Sequence, residues 1–482
     1  MTLTTGFSAL TELGELGRAA TEVAIGTWSD PAVRASLAQQ RLQALVRHAR
    51  AHAPLHARLY RDLPADQVPR LADLPVMTKS ALMADVTATL TDRSVTQNEI
   101  DGFLADTSRI GRLLHGRYAV WHSSGTSGEP AVFLHDLGAL AVYQALETLR
   151  FRGLTSFADF GARLLAGERF ALVMVTGGHF ASISTVEHLR STFPWMAASI
   201  AAFSLLTPLP KLVAQLNACA PTVLSTYPSA AEVLAREQEA GRLRLRLTEL
   251  WTGGEYMAPC TRARLVQAFD CRVRNEYGAS ECLSIAWGCD HGALHVNDDW
   301  VLLEPVDAAG QPVAHGTPSH SVLLTNLANR VQPLIRYDLG DSITLLPPCS
   351  CGSSLPAIRV EGRHDETLRY VDNDGAAVDL LPLVLTTVME EEAGVYGFQL
   401  RQTGRDTLTV SLDADSHGGA ARVRRTLRAF LARAHLPHVA VRIDLAEPAS
   451  SARTGKRQRV VRCLERTDAA DHDAIGRGGA HV

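Results

Sequence analysis

The feature that most constrains the fold of this chain is an alternation that begins at Phe170. Short apolar runs, at Ala171–Val175, Thr222–Leu224 and Glu249–Trp251, are each followed by turn residues and then by a helix-like segment such as Ser229–Gln238. This alternation is typical of a mostly parallel sheet flanked by helices. The chain has 482 residues, well above the size at which a single core keeps growing, so we expect an α/β protein of two or three domains.

The C-terminal part of the chain has a different pattern. Strand-like Leu368–Val371 and Thr407–Leu412 alternate there with helical Leu380–Glu392 and Ala421–Ala434, which predicts a small α+β domain. Near the N-terminus, Asp30-Pro31 predicts the start of a helix. The expected domains are a large α/β domain with mostly parallel sheets flanked by helices (1–362), a small mobile α+β domain (363–466) and a flexible tail (467–482).

Composition excludes several classes of function. Lys and Arg number 47 against 51 Asp and Glu, without basic blocks, so a nucleic-acid partner is not expected. Met1–Arg18 lacks the cationic start and apolar run of a signal peptide, and the most apolar stretch, Trp195–Leu206, is too short to cross a bilayer. We therefore expect a cytoplasmic protein that does not bind a membrane, whose 8 cysteines serve metal binding or packing.

A loop rich in glycine and hydroxyl groups follows the apolar run Tyr118–Trp121. It spans Ser123–Pro130 and could form a nest of backbone N–H groups for phosphate oxygens, or it could be an ordinary surface turn. The spacing fits neither a Walker loop nor the G-x-S-x-G elbow of hydrolases.

Further motifs follow this loop in a fixed order, and each of them is weak by itself. They are Thr252-Gly253-Gly254-Glu255, Asn275-Glu276-Tyr277-Gly278-Ala279-Ser280-Glu281, Leu334-Ile335-Arg336-Tyr337-Asp338-Leu339-Gly340-Asp341, Glu361-Gly362-Arg363-His364-Asp365 and Thr454-Gly455-Lys456. In this order and spacing, the motifs of the chain resemble those of adenylate-forming enzymes, the acyl-CoA synthetase superfamily. Leu334–Tyr337 and the short N-terminal region resemble the phenylacetate-CoA ligase branch.

The resemblance implies ATP-dependent conversion of a carboxylic acid into an acyl-AMP, followed by transfer of the acyl group to a thiol. It implies that Tyr277 stacks on adenine, that Glu281 holds Mg²⁺, and that Asp341 accepts the ribose hydroxyls. Lys456 would bridge the carboxylate and the α-phosphate, and Asp365 would be the hinge. The implied catalytic residues are Lys456, Glu281 and Ser280, and the implied nucleotide-binding residues are Ser123, Ser124, Gly125, Thr126, Ser127, Gly128, Gly253, Gly254, Glu255, Tyr277, Gly278, Asp341 and Arg363.

Two positions depart from the pattern of the family. Glu129 stands where the family loop commonly has a basic residue, so we expect modest affinity for ATP. Asp338-Leu339-Gly340 replaces the Arg-Thr-Arg found before the ribose aspartate. The acyl acceptor is therefore left open between coenzyme A, the phosphopantetheine of a carrier protein, and an amine.

Cysteine and histidine form a second group of candidate residues. Thiolate and imidazole are the ligands of closed tetrahedral zinc sites, and Cys289, His295, Cys349 and Cys351 could supply four of them. His291 competes with His295 for the fourth position, and buried reduced thiols are the alternative interpretation. Some members of the branch look similar here and are associated with a structural zinc.

The acyl pocket is predicted at two loops that follow apolar strands. In open α/β sheets, ligands bind beyond the carboxyl ends of the strands, and both loops resemble regions that line the family's pocket. For each loop, ordinary packing is an equally good interpretation. We expect an aromatic or short-chain acid, bound by Gly178, His179, Phe180, Tyr227 and Pro228.

Three functions compete at this point. The first is a CoA ligase, the second is an adenylating enzyme with another acceptor, and the third is a catalytically inert binding protein stabilised by zinc. The joint presence of Lys456, Glu281 and Asp341 argues against the third, because a protein without catalysis has no need for all three. The oligomeric state stays open, with a homodimer as one option.

Overall fold

A computed structural model gives the fold of the chain. The residues it describes are 3–64, 69–123, 131–153, 162, 167–360, 367–395, 397–412, 419–444 and 459–463. Contacts between Cα atoms divide the chain into two compact units, one made of residues 1–123 and 131–362, the other of residues 124–130 and 363–482.

The helices lie mostly in the first half of the chain. The predicted helix after Asp30 is confirmed and runs over Pro31–His52. It is preceded by a longer helix, Leu3–Trp28, which the sequence analysis missed. The α-helices are α1 (Leu3–Trp28), α2 (Pro31–His52), α3 (Pro54–Leu59), α4 (Lys79–Met83), α5 (Val86–Thr89), α6 (Gln97–Ala105), α7 (Leu137–Leu146), α8 (Ala181–Thr192), α9 (Pro194–Ala197), α10 (Leu209–Cys219), α11 (Pro228–Glu239), α12 (Pro259–Phe269), α13 (Pro382–Thr387) and α14 (Ala420–Arg433).

The strands of the first unit include all the predicted apolar runs. They are β1 (Tyr118–His122), β2 (Val132–Asp136), β3 (Phe170–Met174), β4 (Ile200–Ser204), β5 (Val223–Thr226), β6 (Glu249–Thr252), β7 (Arg272–Ala279), β8 (Cys282–Gly288), β9 (Leu294–Val296), β10 (Val301–Val306), β11 (Ser321–Asn326), β12 (Tyr337–Asp338), β13 (Ile343–Leu345) and β14 (Ala357–Val360).

A nine-stranded sheet organises the first unit, with the order β13-β14-β9-β8-β7-β6-β5-β3-β4. Strands β4, β3, β5, β6 and β7 are parallel to one another, as the alternation with helices predicts. The pairs β7-β8, β8-β9, β9-β14 and β14-β13 are antiparallel. Short connections join β7 to β8, β8 to β9 and β13 to β14, as antiparallel neighbours allow. A β1-β2 hairpin and a three-stranded sheet, β10-β11-β12, complete the sheets described for this unit.

The second unit is a small α+β unit, as predicted. The predicted strands at 368–371 and 407–412 and the helix near 421–434 are all present. The remaining strands are β15 (Leu368–Val371), β16 (Ala377–Leu380), β17 (Phe398–Gly404), β18 (Thr407–Leu412), β19 (Ala440–Asp444) and β20 (Val460–Arg462). They form a two-stranded sheet, β15-β16, and a four-stranded sheet, β19-β18-β17-β20. In the described parts of both units, every helix is too short or too polar to span a bilayer.

A buried histidine in α3 supplies a prediction about stability. His56 is fully buried, and neither ring nitrogen has a hydrogen-bond partner. Burial lowers the pKa of His56 to about 4. Because the unfolded chain takes up this proton near pH 6.5 and the folded chain does not, stability should fall as the pH drops from about 6.5 towards 4, by up to about 3 kcal/mol.

The variant His56→Leu removes both the proton site and the two unpaired nitrogens. We expect it to equal or exceed the wild type in stability at pH 7 and to lose less stability on acidification. Urea denaturation at several pH values measures this, with the exposed His52→Leu as the control. An unchanged pH profile in His56→Leu would contradict the prediction.

Candidate active site and metal cluster

The parallel strands bring ten of the predicted site residues to one edge of the large sheet. Gly178–Phe180 follow β3, Tyr227 and Pro228 follow β5, and Gly253–Glu255 follow β6. Tyr277 and Gly278 lie at the end of β7. Since the carboxyl ends of parallel strands share one edge, these loops are neighbours in space.

Close packing joins the loops after β5, β6 and β7. A Cβ atom on Gly253 would lie 3.2 Å from the carbonyl oxygen of Glu276, and one on Gly254 would lie 3.1 Å from the ring of Tyr227. Gly254 also has a φ of +77°, which L-residues with side chains rarely adopt. The carboxylate of Glu255 accepts hydrogen bonds from the backbone and hydroxyl of Ser229, both at 3.0 Å, so it holds the start of α11.

Tyr277 and Asp341 form a direct contact. The Tyr277 hydroxyl donates to Asp341 Oδ2 at 3.0 Å. Tyr277 is buried, and burial together with the neighbouring Asp341 charge raises its pKa. The residue predicted beside adenine and the residue predicted beside ribose are therefore adjacent, although 64 positions separate them.

The turn at Ser280 and Glu281 is held by three buried side chains that the sequence analysis missed. Trp121 Nε1 and His135 Nε2 both donate to the carbonyl oxygen of Ser280, at 2.9 and 3.0 Å. Asn326 Nδ2 donates to the carbonyl oxygen of Glu281 at 2.9 Å. Burial lowers the pKa of His135 to about 3, which keeps its ring neutral. Trp121, His135 and Asn326 lie on three different strands, β1, β2 and β11, so they form no local sequence motif.

The side chain of Glu281 is buried and hydrogen-bonded to Tyr337. Burial raises the pKa of Glu281 to about 7, and the Asp341 charge acts in the same direction. Lys79, at the start of α4, is close enough to oppose this shift. The charges of Glu281 and Asp341 thus repel one another, and a nearby cation would relieve that repulsion.

The base of the predicted phosphate loop is described, but most of the loop is not. Ser123 N donates to Ala131 O at 2.8 Å, and Ser123 Oγ accepts from Ala131 N at 3.0 Å, which closes the loop between β1 and β2. The other predicted residues of this loop, together with those on the C-terminal side, lie outside the described residues. They are Ser124, Gly125, Thr126, Ser127, Gly128, Arg363, Asp365 and Lys456.

Of the residues predicted for the acyl pocket, Phe180 and Tyr227 lie at an apolar cluster, whereas His179 is buried and holds a loop in place. Phe180 and Tyr227 are partly buried and pack on the same apolar cluster. His179 is 1% exposed, its Nε2 donates to Asp106 O at 3.0 Å, and its ring lies 5.0 Å from that of Phe103. These contacts hold the loop after β3 against the rest of the unit.

A separate cluster contains the four predicted metal ligands. One ligand atom from each of Cys289, His295, Cys349 and Cys351 lies within 4.8 Å of the others. Cys289 Sγ is 3.8 Å from Cys349 Sγ, and Cys351 Sγ is 3.2 Å from His295 Nε2. His291 is exposed and bonds to Ser350 Oγ at 2.7 Å, so His295 is the histidine among the sulfurs.

The surroundings of the cluster suit a metal ion. His295 Nδ1 donates to Leu355 O at 3.2 Å, which directs the Nε2 lone pair to the sulfurs. Burial lowers the pKa of His295 and so favours the neutral ring, the form that binds metals. Two sulfurs bound to one tetrahedral zinc are about 3.8 Å apart, which matches the Cys289 to Cys349 distance.

Comparison with known proteins agrees with this architecture. No family model matches the chain. Protein CapK of Staphylococcus aureus is 25% identical over 162 residues. The matched region covers 33% of this chain and 34% of CapK, so the chain spans about a third of the length of that relative. A crystal structure of 2-hydroxyisobutyryl-CoA ligase, in complex with 2-HIB-AMP and CoA in the thioesterification state, matches with a TM-score of 0.55 at 20% identity, over 94% of each chain.

The same ligase in its postadenylation state matches with a TM-score of 0.51 at 19% identity, again over 94% of each chain. This chain has the fold of 2-hydroxyisobutyryl-CoA ligase. The fold class predicted from the sequence is therefore confirmed. The phenylacetate-CoA ligase-like branch, the individual site residues and the domain boundaries remain predictions.

Proposed function

We propose that this protein is an ATP-dependent acid-thiol ligase that converts a carboxylic acid into an acyl-adenylate and then into an acyl-CoA. The observation that carries the proposal is the cluster of Tyr277, Glu281 and Asp341 at the carboxyl edge of the sheet. The CoA ligase that shares this fold was crystallised with an acyl-AMP and CoA, which supports the same pair of reactions here.

The first reaction joins two anions. A carboxylate oxygen attacks the α-phosphorus of ATP, and pyrophosphate leaves with the electrons of the broken P–O bond. Negative charge gathers at the α-phosphate in the transition state, so the site needs fixed cations there. Lys456 is proposed to supply one of them, and Ser280 to contact the α-phosphate.

Mg²⁺ is proposed as the second cation of the site, beside Lys456. Glu281 would hold it, since carboxylate oxygens are the ligands that Mg²⁺ prefers in proteins and the buried Glu281 faces the charge of Asp341. When bound, the ion would neutralise charge on the phosphates. Asp341 is proposed to accept the ribose hydroxyls, and its contact with Tyr277 would hold the two side chains that bind ribose and adenine in a fixed relative position.

The second reaction transfers the acyl group. A thiol attacks the carbonyl carbon, and AMP leaves. Coenzyme A is the proposed acceptor, and the acid is proposed to be aromatic or short-chain, bound near Phe180 and Tyr227. A cytoplasmic location would supply ATP and CoA.

The experiment that tests the function is pyrophosphate exchange into ATP, measured on the full chain with Mg²⁺ across a panel of aryl and short-chain acids. The same acids are then incubated with ATP and CoA, and acyl-CoA is measured by mass spectrometry. Exchange with thioester formation is expected. Exchange without a thioester would retain adenylation but favour a carrier protein or an amine as acceptor. Folded protein that exchanges with no acid would refute the proposal.

Zinc is proposed as a structural metal of the same unit. Cys289 and His295 flank the connection between β8 and β9, while Cys349 and Cys351 lie in the connection between β13 and β14. An ion that joins these connections would fix the edge of the sheet that follows Asp341. Four protein ligands would leave no position for substrate, so the role would be structural.

Removal of the cluster thiols should remove zinc and stability together. For Cys349→Ser/Cys351→Ser we expect the zinc content to fall from about one per chain to none, with a lower Tm, because metal binding contributes folding free energy. Elemental analysis and thermal denaturation measure this, with the exposed Cys260→Ser as the control. Wild-type protein purified without chelators that contains no zinc would contradict the prediction.

A further inference from the structure

The turn that carries Ser280 and Glu281 differs from the turns that two-residue hairpins favour. It connects β7 to β8, whose last paired residues are Ala279 and Cys282. The favoured turns of such hairpins have a positive φ at one or both of the two loop residues. In the described chain, the residues with a positive φ include neither Ser280 nor Glu281. Local turn preference therefore does not fix this turn, and we expect its support to come from elsewhere in the fold.

A network of three buried side chains, His135, Tyr143 and Asn326, holds the turn by its backbone. Asn326 Nδ2 donates to the carbonyl oxygen of Glu281 at 2.9 Å and to the Tyr143 hydroxyl at 2.7 Å. The Tyr143 hydroxyl lies 3.1 Å from His135 Nδ1, and His135 Nε2 donates to the carbonyl oxygen of Ser280 at 3.0 Å. The network is therefore continuous from one carbonyl group of the turn to the next.

The hydrogens of the network have one consistent arrangement. Burial keeps the His135 ring neutral by lowering its pKa to about 3, so the ring carries a single N–H. That hydrogen lies on Nε2, because a carbonyl oxygen can only accept, and Nδ1 is left as an acceptor. The Tyr143 hydroxyl donates to Nδ1, which Asn329 Nδ2 also approaches at 3.4 Å, and it accepts from Asn326. Every bond of the network thus has a defined donor.

Burial makes these bonds costly to lose. His135 and Asn326 have no exposed surface, and the fully buried Trp121 stacks on the His135 ring with 4.4 Å between the ring centroids. Trp121 Nε1 donates to the same Ser280 carbonyl oxygen at 2.9 Å. A polar atom that loses its partner in this enclosed place gains no bond to water, so it bears the full cost of its desolvation. The turn is thus held in one backbone position.

We propose that His135, Tyr143 and Asn326 are positioning residues for adenylation, which place Ser280 and Glu281 by holding their carbonyl groups. The inference rests on the proposed function, in which Ser280 contacts the α-phosphate and Glu281 holds Mg²⁺. A displaced carbonyl group moves the side chain of the same residue with it. Misplacement of a reacting group by about 1 Å can reduce a rate about 10²-fold, so small changes in the network should have large effects on the first reaction.

Tyr143→Phe tests the network, because it removes one hydroxyl group and keeps the shape of the side chain. Pyrophosphate exchange is measured on the full chain over a range of acid and Mg²⁺·ATP concentrations. We expect kcat to fall by about tenfold or more, because two buried partners lose a bond and the turn can shift. The KM for the acid should hardly change, since the loops predicted to bind the acid follow β3 and β5. Single-turnover conversion of supplied acyl-AMP and CoA should be less affected than exchange.

Two comparisons separate positioning from a loss of stability. Tyr118→Phe also removes a tyrosine hydroxyl bond, to Asp92 Oδ2 at 2.6 Å, but it lies outside the network and should leave kcat unchanged. His135→Gln keeps an N–H donor for the Ser280 carbonyl oxygen, whereas His135→Leu does not, so His135→Gln should retain the higher kcat. Urea denaturation gives the stability of each variant. Values of kcat that follow stability across the four variants would overturn the inference.

Calorimetric binding of α,β-methylene-ATP with Mg²⁺ separates the two proposals, because this analogue cannot be cleaved between its α- and β-phosphates and its binding requires no acid. We expect binding to be weaker in Tyr143→Phe by about fivefold or more. If no acid supports exchange, the ligase function fails, and this weaker binding would still uphold the positioning role. Equal binding and equal kcat in Tyr143→Phe and the wild type would overturn the positioning role but leave the ligase function in place. Wild-type protein that does not bind the analogue would overturn both.

Discussion

Lys456→Ala is expected to reduce adenylation by about 10² to 10³, because one preorganised charge contact to a transition state contributes about 2.7–4 kcal/mol. Conversion of supplied acyl-AMP and CoA into acyl-CoA should be nearly intact, since the positive charge is needed where the α-phosphate is attacked. Pyrophosphate exchange and single-turnover thioester formation measure the two reactions separately.

The chain offers a clean control for this variant. It contains three lysines, Lys79, Lys211 and Lys456, and Lys211 is exposed on α10. Lys211→Ala should leave both reactions unchanged. An equal loss of both reactions in Lys456→Ala would refute the assignment of Lys456 to the first reaction alone.

The largest expected effect on stability comes from Asp299, whose side chain is fully buried. Arg150 donates to both oxygens of Asp299, at 2.7 and 3.0 Å, and Arg41 Nη1 lies 3.5 Å from Asp299 Oδ2. Arg150 also donates to Thr27 Oγ1 at 2.9 Å, so the pair joins α1 to the rest of the unit. Asp299→Asn leaves the buried Arg150 without its counter-charge, and we expect a loss of about 3–5 kcal/mol in the free energy of unfolding.

Chemical denaturation measures this loss against an exposed pair of similar geometry. Arg70 bonds both oxygens of Asp73 at 2.9 Å on the surface, and Asp73→Asn should cause no measurable change because solvent screens the pair. The double variant Arg150→Met/Asp299→Leu should recover much of the stability, since it buries no unpaired charge. Equal effects of Asp299→Asn and Asp73→Asn would show that burial does not control this ion pair.

Local patterns predicted the parallel half of the large sheet and the α+β unit well. Apolar runs such as Ala171–Val175 carry their own signal, because a strand buried on both faces reads as a continuous apolar run. The helix Leu3–Trp28 and the strands Phe398–Gly404 and Val460–Arg462 were missed. Val460–Arg462 is short and pairs with residues about 60 positions earlier, so its own residues carry little signal, whereas Phe398–Gly404 pairs with the adjacent Thr407–Leu412 and was overlooked.

In the candidate site, too, some residues could be predicted from the sequence and others could not. The resemblance to adenylate-forming enzymes pointed to Tyr277, Glu281 and Asp341, and residue chemistry pointed to the cysteines of the metal cluster. Neither could assign the histidine. His291 and His295 are equivalent in sequence, and only the pairing of β9 with β14 places the His295 ring beside the sulfurs.

The sequence by itself therefore determined the class of fold and the types of group available for chemistry, because periodicity and ligand type are properties of short segments. The tertiary structure decided which of those groups meet. The support of Ser280 by Trp121 and His135 joins strands to a turn 159 and 145 positions away. Burial is set by such long-range packing, and burial is the main cause of the raised pKa of Glu281.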